Sequence, residues 1–311
     1  MIDLSVLRQN WTPPELPPEI PHGDMPGDKV SIGESHILKA NGIFPALLPQ
    51  LWEALAQNPA RRAVVSVCGG SGVGKSEIAS LLTFYLNRLG VGAYTLSGDN
   101  YPHRIPLQND TERLRVFRVG GISGLLKQGE YDADTAKTLE ELMRLNKDSD
   151  PAECAFHPWL ASFQLAGRAG LGGYLGTQNE IDFAELSGIL ARFHGGADEL
   201  WLKRMGREES ALWYERVDAR GLNVLVVEWT HGNSDLLAGV DLPVFLHSTP
   251  GETLEHRRLR ARDGAPDSPF TTMVLEIEQG LLRSQAQKAK IIVSKSGELL
   301  SWEQYRFLEA E

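Results

Sequence analysis

The chain has 311 residues, 42% hydrophobic and 23% charged, the balance of a globular protein with room for a substantial core and one principal domain. A formal charge of -10 and a pI near 5.4 argue against a chain whose main work is neutralising nucleic-acid phosphates. Two cysteines, Cys68 and Cys154, stand in no CxxC or Cys/His cluster, which fits a reducing cytoplasm, and no apolar run approaches the roughly 20 residues that cross a bilayer.

The opening MIDLSVLRQNWTPPELPPEI lacks the basic-then-apolar order of a secretory signal. Pro13, Pro14, Pro17, Pro18, Pro21 and Pro26 alternate with acidic positions, so residues 1–42 are expected to form an extended arm outside the core, lying on the surface or on a partner subunit. A homodimer is compatible with such an arm. From Ile43, Leu47, Leu48, Leu51, Trp52 and Leu55 recur at helical spacing, and Pro59 closes the segment. Ala63 to Cys68 then form a continuous apolar run ended by glycines, as expected of a strand buried on both faces of a parallel sheet. SEIASLLTFYLNRLG reads as an amphipathic helix and VGAYTLSGD as a second strand, which together make a βαβ unit.

Between residues 102 and 221 the alternation weakens. Helical stretches near 132–146, 182–194 and 207–217 are interleaved with loop-like tracts such as GRAGLGGYLGT, and this region reads as an irregular, inserted substrate-binding segment of the domain spanning 43–311. Alternation returns with the strand LNVLVVE, the strand DLPVFLHS, the helix ETLEHRRLRARD, a helix over 271–285 and the strand KIIVS. The fold class is therefore α/β: a three-layer fold with a mostly parallel, doubly wound sheet.

Gly69, Gly70, Ser71, Gly72, Val73, Gly74, Lys75 and Ser76 fill GxxxxGK(S/T) directly after a buried-type strand and at the start of the helix SEIASLLTFYLNRLG, and with Glu77 they are the expected nucleotide-binding residues. The bare pattern arises by chance on the order of once per hundred chains of this length, and the strand-helix context makes a merely tight turn the weaker reading. Backbone amides of such a loop curl around phosphate oxygens, Lys75 reaches the β- and γ-phosphates, and the Ser76 hydroxyl ligates Mg²⁺. Asp99 ends the second strand, where it could accept a proton from an attacking hydroxyl and hold a water of the magnesium shell, or simply cap a turn. Glu228 ends the strand Val224–Glu228 and is placed as a magnesium-side residue, against a plain salt bridge.

These residues give the chain a resemblance to the uridine kinase and phosphoribulokinase family of P-loop kinases. It rests on GGSGVGKS, on LSGDNYPHR, on LVVEWTHG and on DLPVFLHSTPGETLEHRRLRARD, in order over about 60–295. Trp229 stands where the family has glycine. The resemblance implies a P-loop NTPase fold of the nucleotide-kinase type and ATP-dependent phosphorylation of a hydroxyl, with Asp99 as base, Lys75 and Ser76 on nucleotide and metal, and Arg262 near a lid over the phosphates. ATP and Mg²⁺ are the expected cofactors.

Arg104, Arg113, Arg115 and Arg118 follow Asp99, and Lys203, Arg204 and Arg207 precede the Glu228 strand. Such donors suit a phosphate or carboxylate on the acceptor, or else a solvated charged face. Arg257, Arg258, Arg260 and Arg262 share one helix, where they close over transferring phosphates or complement the helix dipole. Tyr101 and His231 join Arg104, Arg118, Lys203 and Arg204 as expected acceptor contacts, beside Asp99 and Glu228. His103 and His157 read as ordinary polar residues, and Trp201, Trp213, Tyr214 and Trp229 as core aromatics or pocket walls. The function expected is an ATP-dependent kinase of a small-molecule hydroxyl, with an anionic acceptor such as a sugar phosphate or sugar acid, or a nucleoside-like one. The rivals are a switch-type P-loop NTPase, although no Asn-Lys-x-Asp motif of the GTPases occurs, and a binding protein without turnover.

Overall fold

The computed structural model describes residues 11–27, 30–249, 251–255 and 268–309. The elements in chain order are α1 (Glu34–Gln57), β1 (Ala63–Gly69), α2 (Lys75–Arg88), β2 (Ala93–Ser97), α3 (Pro106–Gln128), α4 (Ala133–Arg144), α5 (Leu160–Gly172) and α6 (Phe183–His194). After them come β3 (Glu199–Met205), β4 (Leu212–Asp218), β5 (Val224–Glu228), β6 (Leu242–Leu246), α7 (Pro269–Gln285), β7 (Ile291–Val293), β8 (Leu299–Leu300) and α8 (Trp302–Leu308). A main sheet runs in the order β2-β5-β1-β6-β7-β8, parallel except for β8.

Every residue of β1, β5 and β6 is buried, because helices cover both faces of these strands, and their composition is accordingly mostly apolar, with Ser66 and Glu228 the buried polar exceptions in β1 and β5. On one face α1 and α2 pack through Phe44, Leu47, Leu51, Leu82 and Leu86. On the other, α6 packs through Phe183, Leu186, Leu190 and Phe193. The parallel register sets Glu228 beside Val67 on one side and beside Ser97 on the other, so three strand ends meet at one sheet edge.

The N-terminal region departs from an extended arm over 1–42. Residues 34–42 lie in α1, whose apolar period extends back through Ile37 and Ala40, and Gly33 forms its N-cap. Pro45 and Pro49 sit inside the helix, where each removes one backbone hydrogen bond; burial of Phe44, Leu47 and Leu48 offsets that loss. Nor does the preceding stretch stand outside the core. Trp11 lies 4.9 Å from the Phe44 ring and 5.3 Å from that of Tyr85, and Leu16, Ile20 and Ile32 pack on the same cluster.

The segment 102–221 is not irregular. The first half of GRAGLGGYLGT, expected as loop, belongs to α5, and glycines on both helices serve their close packing: a methyl on Gly167 of α5 would fall 2.7 Å from the Phe117 ring, and one on Gly124 of α3 would fall 2.2 Å from Ala166, while Gly176 beyond the helix turns the chain with φ of 69°. The helix expected over 207–217 is instead a short turn followed by β4, which pairs antiparallel with β3 from Glu199↔Asp218 to Met205↔Leu212. Tyr214 and Val217 favour the pleat, and β3, just across the turn, supplies the backbone partners that make the segment a hairpin arm and not a helix.

Candidate active site

The loop between β1 and α2 has the form its glycines permit. Gly69, Gly72 and Gly74 have φ of 153°, 78° and 95°, and a side chain on Gly69 would meet the Leu246 carbonyl at 2.6 Å. The loop therefore closes on the sheet. Lys75 opens α2 and its Nζ donates to the Gly70 carbonyl at 3.1 Å, folded back over the loop. The N-cap of α2 is Gly74, which has no side chain to cap it, and the dipole of that end favours an anion. The ring of His36 on α1 packs directly on Gly74, where an added methyl would sit 2.8 Å from its Cδ2.

Beside this loop, Ser76 Oγ donates to Glu228 Oε2 at 3.2 Å and Ser97 Oγ donates to Glu228 Oε1 at 2.8 Å, all three residues being buried. The structure thus brings Ser76 and Glu228 together. Asp99 lies on the short turn Gly98–Asn100 that continues β2, and it is exposed at this same sheet edge. Gly70 and Ser71 face Ser248, Thr249, Glu278 and Gln279 across a narrow cleft between the end of β6 and α7.

The expected acceptor contacts divide. Tyr101 is fully buried within the core behind β5, so it is a packing residue in this structure. Arg118 is engaged by buried Asp148 at 2.8 and 3.0 Å and by the Met143 carbonyl, which ties α3 to the end of α4. Arg104 donates to the Tyr174 hydroxyl at 3.0 Å and remains part exposed. Lys203 is buried and donates to the Pro102 carbonyl at 3.3 Å, with Glu185 at 3.7 Å. Arg204 is buried in ion pairs with Asp24 at 2.9 Å and Glu215 at 3.0 Å. His231 is buried with its ring edge-on to Trp229 at 5.3 Å, and burial pushes its pKa down to about 4, which keeps it neutral. Trp229 packs on Phe183 as a core aromatic, whereas Trp201, Trp213 and Tyr214 are exposed on the β3–β4 ribbon. Arg257, Arg258, Arg260 and Arg262 lie outside the described residues.

Sequence reasoning passed over four residues here. Asp24 accepts from Ser97 N at 2.7 Å and pairs with Arg204, yet it comes from the proline-rich tract, where nothing local marks it. Ser97 and Asn100 flank Asp99 and were legible only as strand-end polar residues. Glu180, buried, holds Arg113 at 2.6 Å, Asn109 at 2.9 Å and the Gly176 amide at 2.6 Å, a role visible only once α3 and the segment before α6 are side by side.

No family model matches the chain. It is 42% identical over 240 residues to the bifunctional alpha-galactosidase/sucrose kinase AgaSK of Mediterraneibacter gnavus, a match covering 77% of this chain and 21% of that protein. Over 70 residues it is 37% identical to an adenylyl-sulfate kinase of Erwinia tasmaniensis, covering 21% of this chain and 35% of that one. The chain thus spans about a fifth and about a third of the length of these curated relatives. Among solved structures, the D-glycerate 3-kinase of Cryptococcus neoformans superposes with a TM-score of 0.46 at 12% identity, over 87% of this chain and 99% of that one.

Proposed function

We propose that this chain, a member of the P-loop kinases, transfers the γ-phosphoryl group of ATP to a hydroxyl of a sugar, with sucrose the first acceptor to test. The observation that carries the reading is the 42% identity to a protein named for a galactosidase and a sucrose kinase, taken with the P-loop and the Ser76–Glu228 pair. Phosphate-cradling loops serve phosphoryl transfer and have no part in glycoside hydrolysis, so of the two named activities the kinase fits this chain.

Among the described residues no three His, Cys, Asp or Glu side chains are grouped to hold a metal ion. Mg²⁺ keeps several waters and takes one or two protein oxygens together with phosphate oxygens, and the adjacent Ser76 hydroxyl and Glu228 carboxylate are oxygen donors of that kind. Ser76 and Glu228 would hold it, with Asp99 through water, and it would offset charge on the β- and γ-phosphates. Of the chain's own groups, Lys75 offsets the developing charge on the transferring phosphoryl, and Asp99 accepts the proton of the attacking hydroxyl at its carboxylate. Glu228 is kept in one orientation by two serine hydroxyls.

A neutral sugar is favoured over an anionic acceptor by how the arginines are used. Arg113, Arg118 and Arg204 are each held by buried carboxylates, so the expected cluster of anion-reading forks is largely committed to the fold. A polyhydroxy acceptor needs hydrogen-bonding groups rather than a cationic nest. No helix among the described residues is long and apolar enough to cross a membrane, and Cys68 and Cys154 are free thiols; a reducing cytoplasm accords with both.

The test is ADP release from Mg-ATP with sucrose, fructose, glucose, glycerate, sugar phosphates and uridine, each against no acceptor, with products identified by mass. A phosphorylated neutral sugar supports the reading. Acceptor-independent hydrolysis would instead support a switch-type NTPase, and a phosphorylated anionic acceptor would overturn the sugar assignment.

A further inference from the structure

The turn carrying Asp99 is held by a carboxylate from a distant part of the chain. Asp24 Oδ1 accepts from the Ser97 backbone amide at 2.7 Å and from Asn100 Nδ2 at 3.1 Å, gripping the turn on both sides of Asp99. Its Oδ2 pairs with Arg204 Nη1 at 2.9 Å and accepts from the Tyr94 hydroxyl at 3.2 Å. Asn100 in turn accepts from the Met205 amide at 2.9 Å, so turn, β3 and N-terminal segment form one hydrogen-bonded unit. The Asp24 side chain is 6% exposed and that of Arg204 is 4% exposed.

The same segment approaches Glu228. A methyl on Gly23 would stand 3.5 Å from Thr95 Cγ2 and 3.9 Å from Glu228 Cγ, so the backbone of Gly23 and Asp24 borders the sheet edge where Ser97 and Glu228 meet. A buried ion pair is a poor device for stability alone, since desolvation consumes most of its attraction. What such a pair does well is fix one geometry, and the geometry fixed here is that of the Asp99 turn.

We propose that Asp24 is a positioning residue of the phosphotransfer site, holding the Asp99 turn at the end of β2, and that the N-terminal segment is thereby a working part of the site. The inference rests on the kinase reading above. Asp24 acts through the turn and need not touch the substrate. An asparagine in its place keeps one acceptor oxygen but removes one of the two carboxylates that Arg204 pairs with, leaving it Glu215.

The experiment compares full-length wild type, Asp24→Asn, Asp24→Glu and the exposed-site control Glu19→Gln. Each is measured for affinity toward a fluorescent Mg-ATP analogue, kcat and KM for phosphoryl transfer to sucrose, basal ATP hydrolysis, and amide exchange over residues 97–100, with folding checked by circular dichroism. Expected for Asp24→Asn is a fall in kcat of about a hundredfold, the scale of an ångström-level misplacement, with nucleotide affinity nearly unchanged and faster exchange confined to 97–100. Glu19→Gln behaves as wild type. A folded Asp24→Asn protein with kcat within about threefold of wild type overturns the proposal. Should Asp24→Asn not fold, Asp24→Glu keeps the charge but displaces the carboxylate, and unchanged kcat and exchange in that variant overturn it equally. If wild type phosphorylates no sugar, the kinase reading falls by itself; basal hydrolysis and exchange then decide Asp24, and no change in either would overturn its role.

Discussion

Ser97 and Glu228 lie side by side at the ends of adjacent parallel strands, and the serine hydroxyl donates to the glutamate carboxylate at 2.8 Å. Ser76, from the first turn after the P-loop, donates to the other carboxylate oxygen at 3.2 Å. One carboxylate is thereby oriented by the first turn of α2 and by the strand leading to Asp99.

If that orientation serves the metal, Glu228→Gln should lower phosphoryl transfer by at least about a hundredfold, because the neutral amide weakens Mg²⁺ binding and presents a donor to Ser76 or Ser97. Ser97→Ala removes one hydrogen bond of about 1 to 1.5 kcal/mol and should cost about tenfold. Steady-state kinetics at several Mg²⁺ concentrations separates the two, since only Glu228→Gln should raise the Mg²⁺ requirement.

Asp99→Asn should abolish the general-base contribution, a loss of about a hundred- to ten-thousandfold in kcat, while nucleotide affinity stays near that of wild type. Full activity in that variant would place the base elsewhere.

Gly74→Ala should impair nucleotide binding. The position has φ of 95°, and a methyl there runs into the His36 ring at 2.8 Å, so the loop or α1 must shift. A cost of about 1 to 3 kcal/mol is expected, read as a roughly ten- to hundredfold weaker affinity for the nucleotide analogue or a comparable stability loss on urea unfolding. His36→Ala should relieve part of it in the double variant.

Gly124→Leu tests the helix pair α3 and α5. A methyl alone would overlap Ala166 at 2.2 Å, so a leucine must separate the helices, and destabilisation of about 1 to 3 kcal/mol or more follows. Urea unfolding measures it, and an unchanged midpoint would contradict the close packing described.

Stability should also fall with acid through His231. Burial lowers its folded pKa to about 4 from the ordinary 6.5, opposed by Glu180 and reinforced by Arg113 and Lys75. Between those pH values the unfolded chain binds a proton that the folded one does not, so stability declines as pH drops from 6.5 toward 4, by at most about 3 kcal/mol from this residue. Asp24, pushed up to about 6 mainly by burial against the pull of Arg204, acts in the opposite sense, its contribution being lost as pH rises through the same range. Comparing wild type with His231→Gln cancels the Asp24 component: the gap between their unfolding free energies should narrow as pH drops, and a constant gap would refute it.

Much of the site could be read from local pattern. GGSGVGKS between a buried strand and a helix admits few conformations, and the strand-end acids Asp99 and Glu228 followed from apolar runs that terminate at the sheet edge. Helical or extended periodicity is a property of neighbouring residues, so α2, α6, β1, β5, β6 and α7 were legible without the fold.

What only the tertiary structure decided is which distant residues meet. Whether Arg204 faces a ligand or Asp24 depends on a contact across 180 residues between a proline-rich tract and a strand whose own partner lies beyond a turn. Whether the glycines of α5 break a helix or let one approach depends on α3 standing opposite. Local propensity acts through the few dihedrals around each residue, whereas burial, ion pairing and close packing are settled by whatever the rest of the chain brings alongside, and those contacts assign the polar residues of this molecule to chemistry or to scaffold.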